Sequence, residues 1–128
     1  MDITVSQAEG RVPVTVFKPK GHLSEETDLR EQGQAAYDAG TRNLLLDLSD
    51  VDFISSAGLR GIHYLYLLLH EDAHEKSVKQ GIVAGTYKAP HLKLANPSPA
   101  ALKALRVAGY DMFLEVSKDY KTALKSFG

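Results

Sequence analysis

Apolar and polar residues alternate at two periods along this chain, and the places where the period changes mark its elements. Near the start, Ile3 and Val5 alternate with Thr4 and Ser6, the pattern of a half-exposed strand over Ile3 to Ala8. Glu9 and Gly10 supply a turn, and Val12, Val14 and Val16 carry the alternation on to Phe17, so a hairpin is expected. Pro13 argues against an inner position at its own amide, and Pro19 with Gly21 is expected to end the run. Ser24 then reads as the cap of a charged helix over Glu25 to Ala39, with Leu29, Gly33, Ala36 and Tyr37 turned inward and Gly40 as the stop.

The pattern is richest between Asn43 and His70. Leu44, Leu45, Leu46 and Leu48 form an apolar run broken only by Asp47, which predicts a strand covered by helices on both faces. Ser49, Asp50 and Asp52 favour a turn, Phe53 and Ile54 offer an apolar anchor, and Ser55 and Ser56 are both candidate helix caps. From Ala57 to Leu69, the spacing of Leu59, Ile62, Leu65 or Tyr66, and Leu69 predicts a helix with one face on the sheet. Arg60, His63, Tyr64 and Leu67 fall on its other face. Leu67 there is either a docking residue for a partner or an ordinary surface leucine.

Beyond it, His91 to Ala95 alternates as a strand. Ser98 caps the next helix with Pro99 at its first position, Leu102, Leu105 and Ala108 form that helix's face, and Gly109 ends it. Met112 to Val116 reads as a last strand, and Ser117 as the cap of a final helix with Tyr120, Ala123, Leu124 and Phe127 inward. Residues 71–90 fit neither period. Gly81, Gly85 and Pro90 interrupt them, and an insertion or an extended connection is expected, with Lys76, Lys79 and Lys88 as a solvated basic face. Strands and helices in alternation make an α/β fold.

A length of 128 residues with 44% hydrophobic content suits one domain and crowds two. Fifteen basic against 16 acidic residues, net charge -1 and no basic run give no footprint for nucleic acid or for direct binding to an anionic membrane. Cysteine is absent, which excludes disulfides and thiolate chemistry, and the first residues lack a secretory pattern, so a cytoplasmic protein is expected.

Candidate chemistry is sparse. His70, Glu71 and His74 satisfy the H-E-x-x-H pattern of zinc metallopeptidases, in which two histidines one turn apart hold zinc and the glutamate activates water. The motif sits at the polar end of an amphipathic helix with no further histidine extension, and Glu115, the one third ligand considered, lies far along the chain. Adventitious metal binding is the better reading of the histidine pair. Gly81 to Lys88 lacks the Lys-Ser/Thr ending of a phosphate-binding loop, and Ser55 and Ser56 lack the flanking glycines of a nucleophile elbow. No enzyme and no cofactor are expected.

The segment SDVDFISSAGLRGI, from Ser49 to Ile62, resembles the signature of STAS domains, in particular the bacterial anti-sigma factor antagonists. KLANPSPAALKALRVAGYDMFLEV is similar to that family's C-terminal half, so the resemblance spans most of the chain outside residues 71–90. It implies a STAS-like single domain over residues 1–128, with a mixed four- to five-stranded sheet and about four packed helices. It further implies that Ser56 is phosphorylated, and that Ser24, Ser55, Ser56, Ala57, Gly58, Arg60, His63 and Leu67 make the partner-binding surface. The partners implied are an anti-sigma factor with serine kinase activity and a metal-dependent serine phosphatase. Two acidic positions of the family pattern are serine here, Ser24 and Ser55. That departure keeps a rival open, a STAS scaffold subunit of a sensor or lipid-transport complex that works without phosphorylation.

Overall fold

Leu44–Asp47, the strand β3, lies at the centre of the sheet with every residue buried. The computed structural model describes residues 2–70 and 88–127. Before β3 come β1 (Asp2–Glu9), β2 (Pro13–Leu23) and α1 (Glu26–Asp38). After it come β4 (Val51–Ile54), α2 (Ser56–Leu69), β5 (Leu92–Ala95), α3 (Pro99–Val107), a 3-10 turn at Tyr110–Met112, β6 (Glu115–Ser117) and α4 (Tyr120–Lys125). The strands run in the order β1-β2-β3-β5-β6, antiparallel between β1 and β2 and parallel elsewhere. A sixth strand, β4, pairs only with the far end of β2.

That far end is the main departure from expectation. β2 does not stop at Pro19 but runs on to Leu23, changing partner on the way: Thr15 to Phe17 pair with β3, and Gly21 to Leu23 pair with β4. Backbone amides of alternate residues point to one edge of a strand. Thr15 N–H donates to Asn43 O and Gly21 N–H to Asp50 O, so Pro19 faces the same edge in the gap between the two partners. Its missing donor interrupts no ladder there. Gly21 takes a φ of +97°, and the register shifts between Gly21 and His22. Such a bulge re-aims the residues beyond it. The turn and anchor expected over residues 49–54 therefore contain a strand, whose buried-exposed-exposed-buried order hid the period of two.

The sheet is covered on both faces. On one, α1, α2 and α3 pack over Phe17, Leu44, Leu46 and Leu94, with Leu29, Ile62, Leu65 and Leu105 supplied by the helices. On the other, α4 brings Ala123 and Phe127 against Val14, Val16, Leu45 and Ala95. Leu65 and Tyr66 both turn inward. Tyr64 is not on the outward face of α2 but leans to α1, where its hydroxyl donates to Gln34 Oε1 at 2.8 Å. The two helices meet closely because Gly33 is bare: a Cβ there would lie 2.3 Å from Leu65 Cδ2.

Two helix starts and the last strand differ from expectation, and a third start is narrowed to one of its two candidates. Glu25, not Ser24, occupies the cap position of α1 and makes no side-chain capping bond. Because β2 reaches Leu23, residues 24 and 25 become an extended link, and Glu26 and Asp28 meet the helix N-terminus by charge instead. Of the two candidate serines, Ser55 alone caps α2. Asp119, not Ser117, caps α4, accepting from Thr122 N at 2.8 Å. Ser117 is instead the last residue of β6, and Met112 belongs to the 3-10 turn. The expected insertion falls mostly outside the described residues; at its end, Ala89 is buried and its N–H donates to Phe113 O at 2.8 Å.

Beneath α4, Lys93 is only 8% exposed. Its Nζ lies 2.7 Å from Glu115 Oε2 and 5.3 Å from the Phe127 ring centre. Burial pushes the Glu115 carboxyl pKa up, but the Lys93 hydrogen bond and charge, helped by Ser126 and Lys88, outweigh it and leave the pKa below the usual value of 4.5. A carboxylate with a lowered folded pKa contributes stability above its unfolded pKa and loses it as pH falls through the folded one. Urea unfolding of wild type is thus expected to weaken below pH 4.5, and Glu115→Gln should flatten part of that acid limb. An unchanged limb in the variant would remove this pair from the acid response.

Candidate functional site

The site grows from the junction of β2, β4 and α2. Ser55 N–H donates to Leu23 O at 3.0 Å, which ties the start of α2 to the end of β2. The Ser55 hydroxyl accepts from Gly58 N at 3.2 Å and so caps the helix. Gly58 is buried against the strand, and a Cβ on it would lie 2.2 Å from Leu23 O. A side chain cannot fit there, so the glycine lets the helix start sit directly on the strand end. Gly61, one turn on, does the same against α1, where a Cβ would lie 3.2 Å from Leu29 Cβ.

With Ser55 as cap, Ser56 is the first helical residue and its side chain is exposed. The capping role and the candidate modification thus fall on different serines, where the sequence had left the cap open between Ser55 and Ser56. Exposed residues then recur as Arg60, His63 and Leu67, at steps of four, three and four from Ser56, which places them on one outward stripe. Leu67 is 56% exposed. The His63 ring stands 6.0 Å from Tyr66 and 6.4 Å from Tyr110. Ala57 is half-buried beside Gly58, and exposed Ser24 follows Leu23 directly at the strand end. All eight predicted surface residues therefore lie on α2 or at its β2 support.

A groove was missed. Between the first turn of α2 and α3 lies an open depression of about 620 Å3, with Phe53, Leu59, Ala104 and Val107 among its apolar walls and Ser55 and Ser56 on one side. Phe53 is not an inward anchor: it is 50% exposed, with its ring 6.0 Å from His22, while His22 Nδ1 lies 2.9 Å from Asp52. Val107, the last residue of α3, is 81% exposed. A valine off the Leu102/Leu105 stripe was the only signal of this in the sequence. Two hydrogen bonds flank α3, one tying its start to β4 and one tying the turn after it to α2. Ser98, which caps α3 as expected, also donates from Oγ to Val51 O at 2.8 Å, and Tyr110 donates from its hydroxyl to Leu59 O at 2.9 Å. Burial raises the Tyr110 pKa, against the opposing charge of Arg60, so this hydroxyl stays a donor well above neutral pH.

This arrangement of strands and helices superposes as a whole on known structures. A proposed anti-sigma factor antagonist from Thermotoga maritima superposes with a TM-score of 0.67, at 17% identity over 96% of this chain and 92% of that one. The anti-sigma factor antagonist SpoIIAA in its unphosphorylated form superposes with a TM-score of 0.61, at 13% identity over 94% of this chain and 92% of that one. The fold is that of a STAS domain. No protein-family model and no curated protein matches the sequence. At these identities the likeness establishes the STAS fold and leaves chemistry to this chain's own residues.

Of the residues weighed as metal ligands, only His70 and Glu115 are described. His70 ends α2 with its ring 5.3 Å from Tyr66, while Glu71 and His74 lie outside the described residues. Glu115 is paired with Lys93 on the α4 face of the sheet, opposite the face that α2 covers. Among the described residues no cluster of three His, Cys, Asp or Glu side chains could hold a metal ion, and no helix is long and apolar enough to cross a membrane.

Proposed function

We propose that this chain is a non-catalytic signalling module in the cytoplasm, an anti-sigma factor antagonist that binds its partner when unmodified and is released by phosphorylation of Ser56. The observation that carries this reading is an exposed hydroxyl, separate from the helix cap, beside an open apolar groove. The fold it shares with SpoIIAA supports it. The docking surface comprises the stripe of Ser56, Arg60, His63 and Leu67, with Ser24 at its end and the groove walls at Phe53 and Val107. Apolar walls supply attraction and the stripe supplies specificity.

The switch rests on where the phosphate would stand. It adds about -1.5 to -2 charge. At the first position of α2 that charge meets free amides and the positive helix end, an interaction of about 0.3 to 1 kcal/mol, so the domain stays folded. Covering the same charge with a partner costs several kcal/mol unless it is paired there. The partner of this reading is an anti-sigma factor with serine kinase activity, and a metal-dependent serine phosphatase resets the cycle.

Phosphopeptide mass spectrometry on the tagged protein from its native cells, with and without incubation of the lysate with ATP, tests this directly. The expected result is phosphate at Ser56, with a kinase-like partner enriched only on the unmodified form. A stable partner regardless of ATP, with no phosphate anywhere, would replace this reading with the constitutive scaffold, to which serine at both Ser24 and Ser55 lends its weight.

A further inference from the structure

Among the described residues, Lys103 is the only charged side chain lining the groove beside Ser56. It projects from the middle of α3, is exposed, and forms no ion pair with another described residue. Its backbone is held in place relative to α2, because the Ser98 bond to Val51 O fixes one end of α3 and the Tyr110 bond to Leu59 O fixes the turn after the other. The remaining walls are mainly apolar, and none of the described residues in them carries a carboxylate. A lone ammonium in such a setting is an unusual choice for a surface that only buries apolar groups, since its desolvation opposes burial.

Resting on the proposed phosphorylation of Ser56, we infer that Lys103 is the cationic partner of that phosphate, its ammonium donating charge-assisted hydrogen bonds across the groove from α3 to the first turn of α2. Serine attached to a phosphate gains reach, and lysine is a compact cation on a flexible stem with three donors, suited to a phosphate approached from the side. The bridge holds the phosphate over the apolar walls rather than letting it swing into solvent. Phosphorylation then acts twice on a partner: it adds a charge to desolvate, and it lays a hydrated ion pair over the groove.

Other charges stand near enough to be separated from Lys103 by experiment. Arg60 lies one turn along α2 from Ser56, and Asp52 in β4 lies opposite His22, 2.9 Å from its Nδ1. Arg106, three residues on from Lys103, is outside the groove lining.

The test installs phosphoserine at position 56 during translation, so that it needs no kinase, and tracks the second ionisation of the phosphate by phosphorus NMR. In the otherwise unchanged protein this ionisation is expected below the ordinary value of about 6. Lys103→Gln is expected to raise it by about half a unit, with Lys103→Arg restoring it, an effect in the range of an exposed ion pair. High salt should remove the difference. Equal titrations in all three proteins would overturn the bridge, as would a shift of that size from Arg60→Gln with none from Lys103→Gln. Because the phosphate is supplied, absence of Ser56 phosphorylation in cells would defeat the proposed function without touching this result. A failed bridge would likewise leave the partner switch standing.

Discussion

Gly58→Ala is expected to destabilise the protein by about 3 kcal/mol, the upper end of what overpacking costs. Alanine is the better helix former by about 1 kcal/mol, so an unencumbered helical site would become more stable. Here the added methyl would stand 2.2 Å from Leu23 O and 3.1 Å from Ile54 Cγ2. The first obstacle is backbone of a paired strand and cannot rotate away. Accommodation requires α2 to lift from β2, which stretches the 3.0 Å bond from Ser55 N to Leu23 O and shifts the cap. A thermal melt should show a fall in Tm of about 10 °C, at the roughly 3–4 °C per kcal/mol expected between the ranges for smaller and larger domains. A rise in Tm would mean that the helix start is not seated on the strand. Because Ser56 moves with the same turn, partner binding should weaken even in the folded fraction.

Ser56→Asp separates stability from binding. An acid in the first turn is favoured by the helix end by about 0.3 to 1 kcal/mol, and the Ser55 cap is untouched, so this variant should be as stable as wild type or slightly more so. Its affinity for the partner should nevertheless fall by about 10- to 100-fold, the effect of burying an unpaired carboxylate at a cost of some 1.4 to 3 kcal/mol. Thermal melts compare the stabilities, and titration calorimetry with the partner isolated from native cells measures the affinities. Full phosphorylation, with nearly twice the charge, should weaken binding further, whereas Ser56→Ala should bind normally and resist release. Wild-type affinity in Ser56→Asp would count against the switch.

Much of this was legible one residue at a time. The apolar run Leu44 to Leu48 needs cover on both faces whatever surrounds it, and the structure provides it with α1, α2 and α3 on one side and α4 on the other. The period of α2 and the Ser98-Pro99 start of α3 are likewise local properties, expressed in the chain's own hydrogen bonds. So is the stop at Gly109, whose φ of +78° suits glycine. The signature around Ser55 to Leu59 carried the STAS resemblance, and with it the fold.

The features that escaped were decided by partners distant in sequence. Pro19 and Gly21 look like an end until β3 and β4 divide the edge of β2 between them, and Phe53 looks like an anchor until β4 pairs it with exposed His22 and leaves it on the outer side. Which of two adjacent serines caps α2 depends on where Leu23 O receives an amide. The helix starts expected at Ser24 and Ser117 moved on because β2 runs up to the first and β6 takes in the second. By itself, then, the sequence determined the layered α/β architecture, the central strand and the helix faces, because periodicity and capping are written in near neighbours, while the candidate serine came from the resemblance of its signature segment. The tertiary structure alone decided the separation of the capping hydroxyl of Ser55 from the exposed one of Ser56, the groove and the place of Lys103 in it, because each is made where α2, α3 and β4 meet.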